Sequence, residues 1–499
     1  MKKRLLFWVN GFMLHFGLAY YLQQKLDGDF YAVIDIPNNP KKMFLNQKIV
    51  DFQKTWYFHD HIKKTTSKPD LEYLSNFEKK YQIDLWKLAI NERHFYRFNR
   101  FYKFTTDEIL QFLEQECRLF EQILDDTKPD YFLTYEPVLH HQKLIRDLCK
   151  AKDIKILCLF IARVGGKSVI AEDGSTLDLP QNLDLVEFDI EKTNSEQTKN
   201  NSSYSSIAKN WVIERNVSMS DKLKALKDYI LFSDSENIRS NFTYYGHSKL
   251  KVIFDNLSTT MKRKSRSRYM QKHLKRTVDL SIPFVYFPMS IEEEINLLHY
   301  APFFTNQIEV IRHVAKSIPI DYKLYVKDHI HSEFRGWRSI HEYNEIMDIP
   351  NVTLVHPTYS SKDLIKHSKL VMTLRGTSAI EAAYENKPSI VFGNAPYSIL
   401  PSVYKVGSIE ELPKLVRTAL KTPVNPLYLQ KYLKLIEDRS VDFDFMDYEI
   451  KRNRHFYSGS ILSDVVISED SVKRFFENNR EYFEQLAKAH LVRINVSRF

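Results

Sequence analysis

The sequence predicts an α/β fold of doubly wound, Rossmann-like domains, and three observations predict it. Short apolar runs alternate with helical patterns twice along the chain, over residues 1–165 and again over 281–425. Strands separated by helices in this way imply mainly parallel sheets with right-handed crossovers. The 499 residues, 43% of them hydrophobic and 27% charged, provide for two large cores and exclude a small module, wholesale disorder and collagen-like or coiled-coil classes.

The first apolar run, residues 5–9, reads as a strand, followed by a turn at Gly11 and an amphipathic helix. Lys2, Lys3 and Arg4 ahead of it give the stretch a signal-peptide look, but Asn10 and His15 interrupt the apolar body and no A-x-A site follows. The expected location is therefore cytoplasmic, with peripheral contact at the inner face of the cell membrane. No other uninterrupted apolar run reaches about 18 residues, so no transmembrane helix is expected. Three cysteines, Cys117, Cys149 and Cys158, without C-x-x-C spacing, suit a reducing compartment and offer no zinc motif.

Further strands are expected at 30–34, 131–134 and 154–160, with helices at 106–124 and 139–150 and short helices and loops over 57–100. These form an N-terminal domain, residues 1–173. Residues 174–280 read as an insertion: a polar linker at 194–206, a helix at 219–232, and a run at 262–276 with eight Lys/Arg and no acid. That run nearly accounts for the net charge of +9. The second domain, 281–425, alternates strands at 284–287, 322–326, 352–355, 370–373 and 389–392 with helices at 306–317, 337–346, 360–367, 377–385 and 409–420. The tail, 426–499, reads as helical, with 472–489 its best helix.

Chemistry concentrates in the second domain. Arg375-Gly376-Thr377-Ser378 lies between a strand and a helix, where glycine lets the backbone approach a ligand and first-turn amides and hydroxyls can hold phosphate oxygens. Glu381, one turn on, is placed to accept both hydroxyls of a ribose, although Ser378-x-x-Glu381 equally spells a capping box. Neither G-x-G-x-x-G nor G-x-x-x-x-G-K-[ST] occurs. Lys327-Asp328-His329 ends a strand of the same sheet, on the side where open α/β sheets bind ligands. There a cation and an imidazole suit a leaving phosphate, with His329 able to donate a proton; a Lys327–Asp328 surface pair is the plain alternative.

The series YFP (286–288), Asn306-Gln307, LYVKDH (324–329), IPNVTLVHP (349–357), RGTSAIEAAYENKP (375–388) and Phe392-Gly393 resembles the capsule polysaccharide biosynthesis family, which includes bacterial Kdo transferases. The resemblance implies a GT-B fold, with two Rossmann-like domains facing a cleft, a nucleotide-sugar donor (CMP-, UDP- or GDP-linked) in the C-terminal domain, no cofactor, no required metal, and final helices returning to the N-terminal domain. It implies a donor site of Lys327, His356, Arg375, Gly376, Thr377, Ser378 and Glu381. His356-Pro357 falls where such enzymes contact the nucleotide base.

On this reading the N-terminal domain supplies a base for a glycan or lipid-linked acceptor. Glu136, after the strand at 131–134, is the first candidate and Asp173 the second, each also readable as a surface carboxylate. Arg163, beside Gly165 and Gly166, would bind an anionic acceptor. His140-His141 reads as a solvated helix start. Asp27-x-Asp29 and Asp442-x-Asp444 match a metal-diphosphate motif only by chance. The run at 262–276 suits a solvated helix face or an anionic membrane surface, and no nucleic-acid-binding signature accompanies it. The function expected is a glycosyltransferase of capsular or surface polysaccharide. A UDP-GlcNAc 2-epimerase-like enzyme and a non-catalytic polysaccharide assembly component are the alternatives.

Overall fold

The computed structural model describes residues 2–185, 227, 229–231, 241–457 and 465–496. Among these, thirteen strands form two sheets: β1 (Lys3–Asn10), β2 (Gly28–Asp35), β3 (Lys54–Tyr57), β4 (Tyr131–Tyr135), β5 (Lys155–Ile161), β6 (Ser168–Ala171), β7 (Phe284–Pro288), β8 (Lys323–Lys327), β9 (Val352–Val355), β10 (Leu370–Thr373), β11 (Ser389–Val391), β12 (Val403–Lys405) and β13 (Ser440–Val441). The expected linker at 194–206 lies outside the described residues, as does most of the expected helix at 219–232.

The chain divides into two compact units. Unit 1 runs to Asp173, takes in residues 199–251, and resumes at Arg439; unit 2 holds the rest, chiefly Val252–Asp438. The stretch 174–280 is therefore shared between the units, and the helix Pro426–Arg439 lies almost wholly in unit 2.

In unit 1 the strand order is β13-β6-β5-β4-β1-β2-β3. The five strands from β5 to β3 are parallel, and β6 and β13 extend the sheet antiparallel. Strands buried on both faces read as continuous apolar runs, which is why LLFWV in β1 was legible. The helices Phe445–Tyr457, Glu469–Asn478 and Arg480–Val496 belong to this unit and supply Phe475, Phe476, Phe483 and Ile494 to the core around β1. Tyr131 donates to the Ile494 carbonyl at 3.1 Å and Tyr448 to that of Phe12 at 2.8 Å. At Gly17 a β-carbon would fall 2.2 Å from the Phe483 ring, so only glycine admits that close approach. The single helix expected at 472–489 is two, broken at Asn479, whose side chain turns back to the Phe475 carbonyl.

In unit 2 all six strands are parallel in the order β12-β11-β10-β7-β8-β9. Numbered within the unit this is the Rossmann order, with its reversal between β7 and β10. The basic run occupies the end of the helix Lys249–His273 and then leaves it; Lys275 pairs with the edge of β9, its amide 3.1 Å from the Leu354 carbonyl. No helix among the described residues is long and apolar enough to cross a membrane.

Candidate functional site

Ligands in such sheets bind outside the carboxyl ends of the strands, at the reversal of strand order. In unit 2 that edge carries Tyr286 on β7, Lys327 on β8, His356 after β9 and the 375–381 segment after β10. Gln307 fixes the chain after β7 by a double hydrogen bond to the Ser290 backbone, at 2.7 and 2.9 Å. Asp328, fully buried, does not pair with Lys327. It accepts from Tyr343 at 2.7 Å and faces Arg338, which is itself paired with Glu292 at 2.6 Å. This network holds the β7 and β8 ends and leaves Lys327 to the site.

Lys327 is buried, and its ammonium donates to the carbonyls of Tyr359 (2.9 Å) and Pro357 (3.4 Å) and to the Ser361 hydroxyl. Burial pulls its pKa down from 10.5 to about 8, and the nearby Glu381 carboxylate pulls the other way. Glu381 accepts from the Thr377 hydroxyl at 2.8 Å. Burial raises its pKa, opposed by Thr377 and Lys327. The capping box does not form: Thr377 is the N-cap of the helix Ser378–Tyr384 and makes no side-chain cap. The Ser378 hydroxyl is buried and without a partner. An ammonium, an unsatisfied hydroxyl and a carboxylate steadied through one oxygen thus share one sheet edge, a set able to take a phosphate and a ribose diol.

Other residues take different parts from those expected. The Arg375 guanidinium is buried against the Tyr300 ring and donates to Asn394 O (2.7 Å), Asn296 Oδ1 (2.6 Å) and Gly174 O (2.8 Å). It braces three segments of unit 2 rather than reaching a ligand. The Gly376 amide is taken by Thr373 Oγ1 at 3.1 Å, and that same side chain leaves no space for a β-carbon at Gly376. His329 is exposed, and its Nδ1 accepts from the His331 amide at 3.2 Å. Loss of hydration on the side of the ring that faces the chain, together with neighbouring His331, lowers its pKa from 6.5 to about 4, so it offers an N–H hydrogen bond rather than a stored proton. His356 is buried beside Thr358, its Nδ1 2.7 Å from the hydroxyl, with burial and Arg276 lowering its pKa.

In unit 1, Glu136 lies just past β4, half-buried, its amide bonded to the Leu159 carbonyl at 3.1 Å. Asp173 stands 3.8 Å from Arg146, whose guanidinium also donates to the Glu172 carbonyl. Arg163 sits in the β5–β6 hairpin with a positive φ of 59°, followed by Gly165 and Gly166, also at positive φ. The reading of His140-His141 as a solvated helix start is corrected: both rings are buried. His141 and His59 both reach Asp35 at the end of β2, at 3.3 and 3.0 Å. This second cluster of the unit lies on the ligand-binding side of its sheet.

Residues 214–402 match the model of the family described as "Capsule polysaccharide biosynthesis protein". That segment is similar to the capsule polysaccharide biosynthesis family. It includes Lys327, His356 and residues 375–381. No curated protein sequence matches the chain. Among solved structures, the chain is similar to the beta Kdo 2,7 transferase KpsC of Thermosulfurimonas dismutans, at 10% identity over 63% of this chain and 79% of that one, with a TM-score of 0.30. It is also similar to UDP-GlcNAc 2-epimerase from Neisseria meningitidis bound to UDP-GlcNAc (11% identity, 96% and 100% of the chains, TM-score 0.26). The fold assignment rests on the two strand orders themselves.

Within the matched segment, sequence reasoning missed Asp328, Arg338, Tyr286 and Ser361 as parts of the site. A buried acid directly after a strand and an Arg-Ser pair ahead of a helix were the available signals. In unit 1 it missed Asp35 and His59, and the only hint was an acid closing a parallel strand.

Proposed function

We propose that the protein is a glycosyltransferase of capsular polysaccharide biosynthesis that takes a sugar from a nucleotide-sugar donor held by unit 2. The observation that carries this reading is the convergence of Lys327, Ser378 and the Thr377–Glu381 pair at the strand-order reversal of a Rossmann sheet. Lys327 and Ser378 would meet the phosphate charge, with no metal needed at that position, and Glu381 the ribose hydroxyls. His329 would add a neutral N–H donor and His356 would lie toward the base. Unit 1 supplies the base for the acceptor hydroxyl. Glu136 is the first candidate and Asp173 the second, and the His59–Asp35 hydrogen bond of 3.0 Å on the same sheet edge adds His59 as a third.

A thermal-shift screen with CMP-, UDP- and GDP-sugars tests the donor site. One of them raises the melting temperature of the wild type and none raises that of Glu381→Ala. Absence of any wild-type shift overturns the assignment. Turnover of the nucleotide sugar without acceptor would favour the epimerase alternative. Transfer by Glu136→Gln at the wild-type rate would pass the base to Asp173 or His59.

The acceptor is proposed to be glycan or lipid-linked, met at an anionic bilayer by the helix Lys249–His273. Leu250, Phe254, Leu257 and Met261 are all exposed and spaced to share one face. Lys264, Arg268 and Lys272, all exposed, continue that face. Each basic residue near an anionic surface contributes on the order of 1 kcal/mol. Sedimentation with phosphatidylglycerol vesicles, lost with phosphatidylcholine and with Phe254→Ser/Met261→Ser, is the expected result. Equal pelleting of that variant removes the helix from the proposal.

A further inference from the structure

We propose that unit 1 holds one divalent transition-metal ion of zinc type, ligated by the Glu116 carboxylate, His140 Nε2 and His141 Nδ1. Glu116 comes from the helix Thr106–Thr127, and the two histidines open the helix His140–Ala151. All three side chains are buried, and one ligand atom from each lies within 4.8 Å of the others. His140 Nε2 is already 2.9 Å from a Glu116 oxygen. Zinc bonds of about 2.1 Å set tetrahedral ligand separations near 3.4 Å, so assembling the site needs a closure of at most about 1.5 Å.

Two features single this cluster out from an ordinary buried ion pair. The first is an orphan: His141 Nδ1 is buried and has no hydrogen-bond partner, which is costly if nothing occupies it. The second is the way the outer ring nitrogens are held. His141 Nε2 is 3.3 Å from Asp35, and His140 Nδ1 is 2.8 Å from Glu92. A carboxylate on one ring nitrogen orients the ring and, in a carboxylate–histidine–metal arrangement, leaves the other nitrogen for the metal. Both histidines hold one nitrogen against a carboxylate in this way, with His140 Nε2 beside Glu116 and His141 Nδ1 unpartnered.

The charge inventory agrees. Asp35, Glu92 and Glu116 are all withdrawn from solvent in this region. His140 bridges Glu92 and Glu116 at 2.8 and 2.9 Å, and a dication at this point would offset the carboxylate charge gathered there. Phe58 stacks on His141 at 4.4 Å and Phe95 lies 4.6 Å from His140, a dry apolar shell. Two imidazoles with one carboxylate suit zinc, cobalt or iron(II) rather than magnesium or calcium. The ion would staple the two helices together and, through Asp35 and Glu92, tie in the end of β2 and the loop after the helix Leu85–Ile90. It is separate from the donor site of unit 2, so its loss and the loss of nucleotide binding are distinguishable.

The test uses the full chain. Elemental analysis of purified protein, and titration of chelator-treated protein with cobalt(II), should give one equivalent of metal per chain and a visible d–d band of a four-coordinate site. Zinc should restore the melting temperature that chelation lowers. His141→Gln should abolish the band. Asp35→Asn, which keeps all three ligands, should weaken cobalt binding 10- to 100-fold. Should His141→Gln fail to fold, the Asp35→Asn titration and the wild-type chelation curve decide the matter. Wild-type protein that neither carries nor binds zinc or cobalt(II), with a melting temperature indifferent to both chelator and zinc, overturns the proposal. So does cobalt binding undiminished in folded His141→Gln or in Asp35→Asn.

Discussion

On the proposed function, Lys327 should make donor affinity depend on pH in a direction that its surroundings dictate. Its ammonium has exchanged water for two carbonyls and a hydroxyl, and its pKa stands at about 8 against 10.5 in an unstructured chain. A bound phosphate supplies the missing negative charge and restores the higher value, so binding takes up a proton whenever Lys327 is neutral beforehand. The protonated fraction of the free protein falls from about 0.9 at pH 7 to about 0.03 at pH 9.5, so affinity should fall about 30-fold, or ~2 kcal/mol. Isothermal titration of whichever nucleotide binds, at pH 7 and 9.5, measures this. Lys327→Arg keeps its charge throughout and should be nearly flat. A flat wild-type response, or the same slope in Lys327→Arg, refutes the assignment of Lys327 to the phosphate. The ligand-free protein shows the opposite trend. A lysine whose folded-state pKa lies below its unfolded value costs stability while protonated, so the cost is present below about pH 8 and fades as pH climbs toward 10.5. Relative to Lys327→Met, the wild type should gain about 2.5 kcal/mol between pH 7 and 10 in denaturant unfolding.

Three further outcomes follow from packing and buried hydrogen bonds. Gly17→Ala should cost about 1–3 kcal/mol by driving a methyl into the Phe483 ring, and Phe483→Leu should recover part of that loss; additive losses in the double variant would show that the contact is not the cause. Arg375→Met should lower stability by about 3 kcal/mol, because three buried acceptors lose their donor, yet leave the nucleotide affinity of the folded fraction within twofold. A tenfold loss of affinity with unchanged stability would return Arg375 to the ligand. Asp328→Asn should likewise destabilise by about 3 kcal/mol in chemical unfolding, since Arg338 and Tyr343 are left facing a neutral partner; a change under about 0.5 kcal/mol would contradict the bracing role.

What could be read from the sequence follows burial. The strands at the centres of both sheets are covered on two faces and are written as unbroken apolar runs, LLFWV in β1 and FVYF in β7, so their positions and their parallel pairing were legible. The strands missed are edges or additions: β3 (KTWY), β6 (SVIA), β12 (VYK) and β13 (SV), too short for alternation to show. The Thr377–Glu381 pair could be anticipated because the two residues are neighbours in sequence. Arg375 was misread for the complementary reason: the acceptors that claim it, Asn296 and Gly174, are far away in the chain. The same distance hid the enclosure of His140 and His141, whose covering acids Glu92 and Glu116 come from other segments.

The tail that closes the core around β1 also sets an order of events during synthesis. Val252–Asp438 leaves the ribosome as one stretch holding the whole parallel sheet of unit 2. Unit 1 is begun first but lacks Phe475, Phe476 and Phe483, so the apolar side of the helix Leu14–Gln23 stays uncovered until the last helices emerge. The later-encoded unit can therefore finish folding before the earlier one, and the nascent amino-terminal half keeps its apolar surface exposed for longest.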